Sequence, residues 1–186
     1  MTVTLVDADV DRVDRADLVA FLSSHRFPFH VSPEPSAGDV EQQLTIGAWG
    51  GTAVEDGGRR TLWVVCDDER VGVLRLDDLN DSAPLFDLRL AEDARGRGIG
   101  RAAVRAATDL VFSEYPEVDR FEGQTREDNL VMRRVFVRNG WTKEAHYRRA
   151  WPVPGGAPVA SVAYAILRSE WATGQRVPLV WDDMTC

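Results

Sequence analysis

The stretch LRLAEDARGRGIGRAAV, residues 88–104, decides how the chain is read. Gly96, Gly98 and Gly100 sit between a strand-like segment and a helix-like one. Glycine lets the chain turn tightly and lets a ligand approach the backbone. Unpaired amides at a helix start, aided by the helix dipole, attract an anion. Arg95, Arg97 and Arg101 add positive charge in an acidic chain. Together these features suit a diphosphate, but other readings of the glycines stay open at this point. A P-loop requires Lys-Ser or Lys-Thr after its last glycine, and Arg101-Ala102 follows instead. A dinucleotide-binding turn requires GxGxxG, and counting from Gly96 puts Arg101 in the third place. That turn also opens an early βαβ unit, whereas this loop lies mid-chain after a hairpin. A glycine-rich turn beside solvated arginines is the remaining reading.

Upstream, LFDLRL (85–90) alternates as a strand. Before it, TLWVVC (61–66) and RVGVLRL (70–76) flank a short polar joint, and their β-branched content predicts a hairpin. VTLV (3–6) reads as a further strand. A helix is expected over about residues 13–24, capped by Asp11 or Asp14, with Val13, Leu18, Phe21 and Leu22 on its buried face. FPFHVSPEPSAG (27–38) reads as a loop, and VEQQLTIGAW (40–49) as a helix capped by Asp39. Residues 50–60 form a turn-rich connector. Downstream, the pattern predicts a helix over Ile99–Glu114, a strand RFEGQT (120–125), and an amphipathic helix over 129–140 closed by Gly140. WTKEAHYRRAW (141–151) and ASVAYAILRSEW (160–171) read as the last two strands. A strand–helix–strand unit at the centre requires one parallel pair with a right-handed crossover. The expected class is therefore α/β or α+β with a mixed sheet, and residues 1–186 read as a single domain.

The chain carries 30 acidic and 22 basic residues, a formal net charge of −8. That balance argues against a nucleic-acid binder, which needs a basic face. It suits cationic small molecules or basic peptide ends, and plain solubility explains it equally well. Cys66 and Cys186 form no CxxC or Cys/His pattern, so neither a disulfide framework nor a metal site is expected. No leader-like or bilayer-length apolar run is present, which makes the cytoplasm the expected compartment and no membrane partner. Six tryptophans are many for this length, and some are expected to line a site or an interface.

Three blocks then converge. Arg95-x-x-Gly98-x-Gly100 resembles the (Q/R)xxGxG/A signature of the GNAT N-acetyltransferase superfamily, at the expected strand-to-helix junction. TREDN (125–129) followed by FVRNGW (136–141) resembles that superfamily's second block, with Trp141 for Phe. VAYAILRSEW (162–171) is similar to the closing strand of its RimJ/RimL-like branch, which acetylates protein N-termini, with relatives acting on small amines and antibiotics. The resemblance covers about residues 60–171. It implies a mixed, mostly antiparallel sheet flanked by helices, with a splayed parallel strand pair at the cofactor site. It further implies acetyl-CoA as co-substrate, a small-molecule or peptide amine as acceptor, and a monomer or homodimer.

By the same resemblance, Leu88 and Leu90 pair with the pantetheine arm. The amides of Arg95, Gly96, Arg97, Gly98, Ile99, Gly100 and Arg101 hold the diphosphate. Asn129 bonds the pantetheine or sulfur region, and Phe136 packs near the cofactor. An amine attacking a thioester needs a proton acceptor and an acid for the leaving thiolate. Glu122 is the first choice of base, followed by Asp87 and Glu92. Family members often place a Tyr at position 136 as the acid, and some RimL-like members a Ser at position 132; here these are Phe136 and Met132. Tyr147 and Tyr164 are candidates for that role, a structural placement of each and an acid supplied by water being the alternatives. His25, His30 and His146 show no partner in the sequence and are read as structural. Ala160-Ser161 stands where the branch usually has an Asp. Trp49, Trp63, Tyr147 and Trp151 are available to shape an amine pocket by cation–π contact or simply to pack. Two alternatives accompany the enzyme: a non-catalytic acyl-CoA sensor on the same scaffold, and a nucleotide-binding domain.

Overall fold

The computed structural model describes residues 1–50 and 58–180. Most of the expected 50–60 connector, and Cys186, lie outside the described residues. The elements run β1 (Val3–Asp7), α1 (Arg15–Ser24), α2 (Ala37–Thr45), β2 (Arg60–Cys66), β3 (Glu69–Asp77), β4 (Leu85–Leu90), α3 (Ile99–Glu114), β5 (Arg120–Arg126), α4 (Leu130–Arg138), β6 (Thr142–Trp151), β7 (Val159–Leu167) and α5 (Arg168–Thr173). The seven strands form one sheet in the order β1-β2-β3-β4-β5-β7-β6. Every pairing is antiparallel except β4 with β5. This is the mixed sheet that the strand–helix–strand centre required. No helix among the described residues is long and apolar enough to cross a membrane.

Strand alternation divides the core between the two faces. On one face Leu62, Leu74, Phe121 and Val162 pack with Val104, Ala107 and Val111 of α3 and Phe136 of α4. On the other, Trp63 and Val73 pack with Leu18 and Leu22 of α1 and Val40 and Leu44 of α2. In β4 this places Phe86, Leu88 and Leu90 against the first cluster. The guanidinium of Arg89 goes to the other face, 5.2 Å from the Phe27 ring centroid and 5.0 Å from that of Trp49.

Several local expectations are corrected. Val13 precedes α1 and is 79% exposed, so it belongs to no buried face. Asp14 makes no cap bond within α1; its carboxylate accepts from the Asp9 amide at 2.8 Å and pairs with Arg70 at 2.7 Å. The cap of α2 is Ser36, in a capping box with Asp39, because the serine oxygen reaches the Asp39 amide at 3.2 Å. That helix stops at Thr45, and Gly47 and Gly50 turn the chain with positive φ. The last strand ends at Leu167, and Arg168–Thr173 is helical. Trp49, Trp63 and Trp141 are buried in the core and line no site.

Candidate active site

The site begins where two parallel strands part. Leu85 pairs with Glu122, and the β4–β5 ladder extends no further. Beyond it, β4 pairs only with β3, through Gly72–Leu90 to Leu76–Phe86. Ala91 donates to Val71 at 3.0 Å. Alternation then directs the polar groups of Asp87 and Arg89 to β3 and those of Leu88 and Leu90 into the gap. An aromatic cluster wedges the strands apart. Phe86 lies 5.4 Å from Phe121, 5.9 Å from Phe136 and 5.7 Å from Trp141, centroid to centroid. Gly123 of β5 is required here: a Cβ would sit 2.6 Å from Phe136 and 2.7 Å from Phe86.

At the end of β4 the chain makes a short 3-10 turn over Glu92–Ala94 and then enters the glycine loop. Gly96 and Gly98 take φ of +75° and +86°, the left-handed region that favours glycine. The first main-chain bond of α3 is Ala102 to Gly98, at 3.1 Å. The amides of Gly96 through Arg101 donate to no other described residue. A Cβ at Gly96 would meet nothing within 4 Å, so the space beside its Cα is open. This donor set fits a diphosphate, and the fit rests on hydrogen-bond geometry rather than on the motif. Arg95 stands apart from it. Its amide closes the 3-10 turn on Glu92 at 3.3 Å. Its guanidinium donates to the Leu90 carbonyl at 3.0 and 2.7 Å and to the Arg26 carbonyl at 2.5 Å. Beside the loop, Arg101, Arg105, Arg138 and Arg176 line a cavity of about 310 Å³ between α3, α4 and α5.

On the other side of the gap lies a second cleft of about 310 Å³. Leu85, Asp87 and Leu88 of β4 form one wall, and Gln124 and Thr125 of β5 the other. Asn129 and Met132 close it at the start of α4, while Phe29 and His30 reach in from the α1–α2 loop. Arg75, Asp77 and Trp151 complete it. His30 Nε2 lies 3.0 Å from Asp87 Oδ1, and His30 Nδ1 is buried with no partner among the described residues. Arg89 also holds Asp87, at 3.2 and 3.1 Å. Burial pushes the Asp87 carboxyl up, but His30 and Arg89 outweigh it and hold it well below the usual carboxylate range.

The expected site residues therefore separate. Asp87, Leu88 and Asn129 line the cleft. Asn129 caps α4 through the Met132 amide at 3.2 Å and donates to Thr125 Oγ1 at 2.9 Å. Glu122 is half-buried and committed elsewhere: Arg120 donates to it at 2.5 Å and Gln124 at 3.1 Å. Arg120 also bonds Glu144. Glu92 accepts from the Arg26 amide and meets His25, each at 2.5 Å. Those contacts lower it to about 2, the amide bond most of all. Phe136 is 0% exposed, stacks on Tyr164 at 4.8 Å and packs against Phe86 of the cleft lining. Tyr147 is 48% exposed and does not line the cleft; the Tyr164 hydroxyl accepts from Arg133 at 3.3 Å.

Sequence reasoning missed His30, whose partner is 57 residues away. His25 and His146 likewise face carboxylates, Glu92 and Glu127. Of the aromatic candidates for an amine pocket, Trp151 alone lines the cleft, joined by Phe29, which no local signal marked.

A family model for an acetyltransferase (GNAT) domain matches residues 3–142. No curated protein sequence matches. Among solved structures the chain is similar to AAC(6′)-Ib in complex with ribostamycin and coenzyme A, with 19% identity and a TM-score of 0.75, over 95% of this chain and 99% of that one. It is similar to the spermidine N-acetyltransferase of Vibrio cholerae in complex with CoA and spermine: 17% identity, TM-score 0.73, 92% and 98% coverage. It is also similar to RimJ of Mycobacterium smegmatis with CoA-disulfide: 20% identity, TM-score 0.71, 90% and 83% coverage.

Proposed function

The chain belongs to the GNAT acetyltransferase family, and from that premise we propose that it moves the acetyl group of acetyl-CoA onto a primary amine seated in the Asp87–His30 cleft. The observation that carries this reading is the run of unpartnered amides from Gly96 to Arg101 beside a strand pair that parts after Leu85. Acetyl-CoA supplies a thioester whose carbonyl a neutral amine attacks, with the thiolate leaving.

The chain's own residues do the rest. The amides of Gly96–Arg101 bind the diphosphate, and the arginines of the α3–α5 cavity meet the remaining phosphate charge. The main-chain groups of Leu88 and the amide of Leu90, whose carbonyl Arg95 holds, orient the pantetheine amides along the gap. Asn129 fixes the start of α4 beside the reacting end. The ammonium proton passes to the His30–Asp87 pair. Asp87 stays ionised and steadies the charged imidazole, a role Glu122 cannot fill while Arg120 and Gln124 hold it. The polyamine and aminoglycoside ligands of the neighbouring structures support an amine acceptor in general terms.

The test is CoA titration calorimetry with thiol release on an amine panel. Wild type is expected to bind CoA and release thiol only with an acceptor. Gly98→Asp is expected to weaken CoA binding by at least 100-fold, because Gly98 sits at φ +86° and the new carboxylate repels phosphate. Undiminished CoA affinity in that variant removes the loop from the mechanism.

A further inference from the structure

The charges around the cleft point to a class of acceptor, a step that rests on the reading above and narrows it. We propose that the acceptor is a primary amine with a single positive charge on an uncharged, largely apolar body, and that the cleft rejects polycations. The walls provide the apolar part: Phe29, Leu85, Leu88, Met132 and Trp151.

The carboxylates decide the rest. Two line the cleft, Asp77 and Asp87. Both oxygens of Asp77 are taken, Oδ1 by Arg59 and Oδ2 by Arg75, each at 2.9 Å. Arg75 cannot swing aside freely, because it donates to the Ala48 carbonyl at 3.0 Å and lies 5.0 Å from the Trp49 ring centroid. Both oxygens of Asp87 are taken by Arg89, and Oδ1 by His30 as well. Three guanidinium groups thus face two carboxylates among the described residues. On β5, Glu122 is paired with Arg120, and after it Asp128 is paired with Arg126. A second ammonium entering this cleft loses its water and finds no uncommitted carboxylate among the described residues that line it, while Arg75 stands in the wall. The reacting amine escapes that cost, because it gives up its proton to the His30–Asp87 pair.

The experiment compares hexylamine with 1,6-diaminohexane, two bodies of one length that differ in a second charge. Acetyl-CoA is held saturating and CoA binding is measured in parallel. The wild-type kcat/KM for hexylamine is expected to exceed that for the diamine at least tenfold, mainly through KM. Arg75→Met uncovers Asp77 and is expected to shrink the ratio severalfold. Arg59→Met frees the other oxygen of Asp77 from a more exposed position and is expected to do the same should the first variant fold poorly. Equal or better use of the diamine by wild type overturns the proposed class and leaves acetyl transfer standing. Turnover of neither amine with normal CoA binding also overturns it. Loss of CoA binding itself overturns the loop reading, and this inference with it.

Discussion

His30 shows how one residue's role depends on a distant partner. It sits in a Pro-rich loop and gains a carboxylate only because β4 brings Asp87 within 3.0 Å. With Nε2–H donated to that carboxylate, the other nitrogen carries the lone pair. A His→Gln change keeps hydrogen-bonding capacity and removes the basic ring nitrogen. His30→Gln is therefore expected to lower kcat by about 100-fold with CoA affinity unchanged. An unaltered kcat assigns the proton elsewhere. Phe136 shows the reverse case. Its motif position implied packing near the cofactor, and the ring is sealed among Phe86, Trp141 and Tyr164. Sequence spacing located the residue without saying which face of α4 meets the cleft.

At the scale of elements, the glycine loop and α3 were legible because their chemistry is contiguous. Positive φ at Gly96 and Gly98 and the open amides arise within one short segment. The end of β7 was not legible, since AILRSEW alternates well enough to prolong a strand. What stops the strand is Arg168. Its guanidinium bonds three carbonyls at the C-terminal end of α3 and just beyond, those of Phe112 at 2.7 Å, Tyr115 at 2.5 Å and Val118 at 2.7 Å. It also lies 5.0 Å from the Phe112 ring centroid. Phe112 lies in the last turn of α3, where a helix leaves its carbonyls unpaired. Arg168→Ala strips all three, and the expected loss is about 3 kcal/mol. In urea the midpoint should fall with the slope unchanged. A shift below about 0.5 kcal/mol would mean that water replaces the clamp without penalty.

Across the whole molecule, charge acts in two opposing ways. A net charge of −8 draws cations toward the surface, while the cleft has its carboxylates already paired. The same pairings make the fold sensitive to acid. Glu92 drops from an ordinary 4.5 to about 2, and Asp87 and Asp7 also fall below their ordinary value. A carboxyl with a depressed folded pKa stabilises above its unfolded pKa and loses that contribution as pH falls through the folded one. The Tm is therefore expected to fall between about pH 4.5 and 2, less steeply in Glu92→Gln. Identical slopes for the two proteins would show that Glu92 contributes nothing. The sequence by itself determined the mixed sheet, the helix that opens on free amides and the kind of anion they suit, because hydrophobic periodicity and glycine geometry act over a few neighbouring residues. Only the tertiary structure decided which carboxylates face the cleft and which are already neutralised. Those pairings join residues as far apart as His30 and Asp87, and the order in which the sheet stacks its strands sets them.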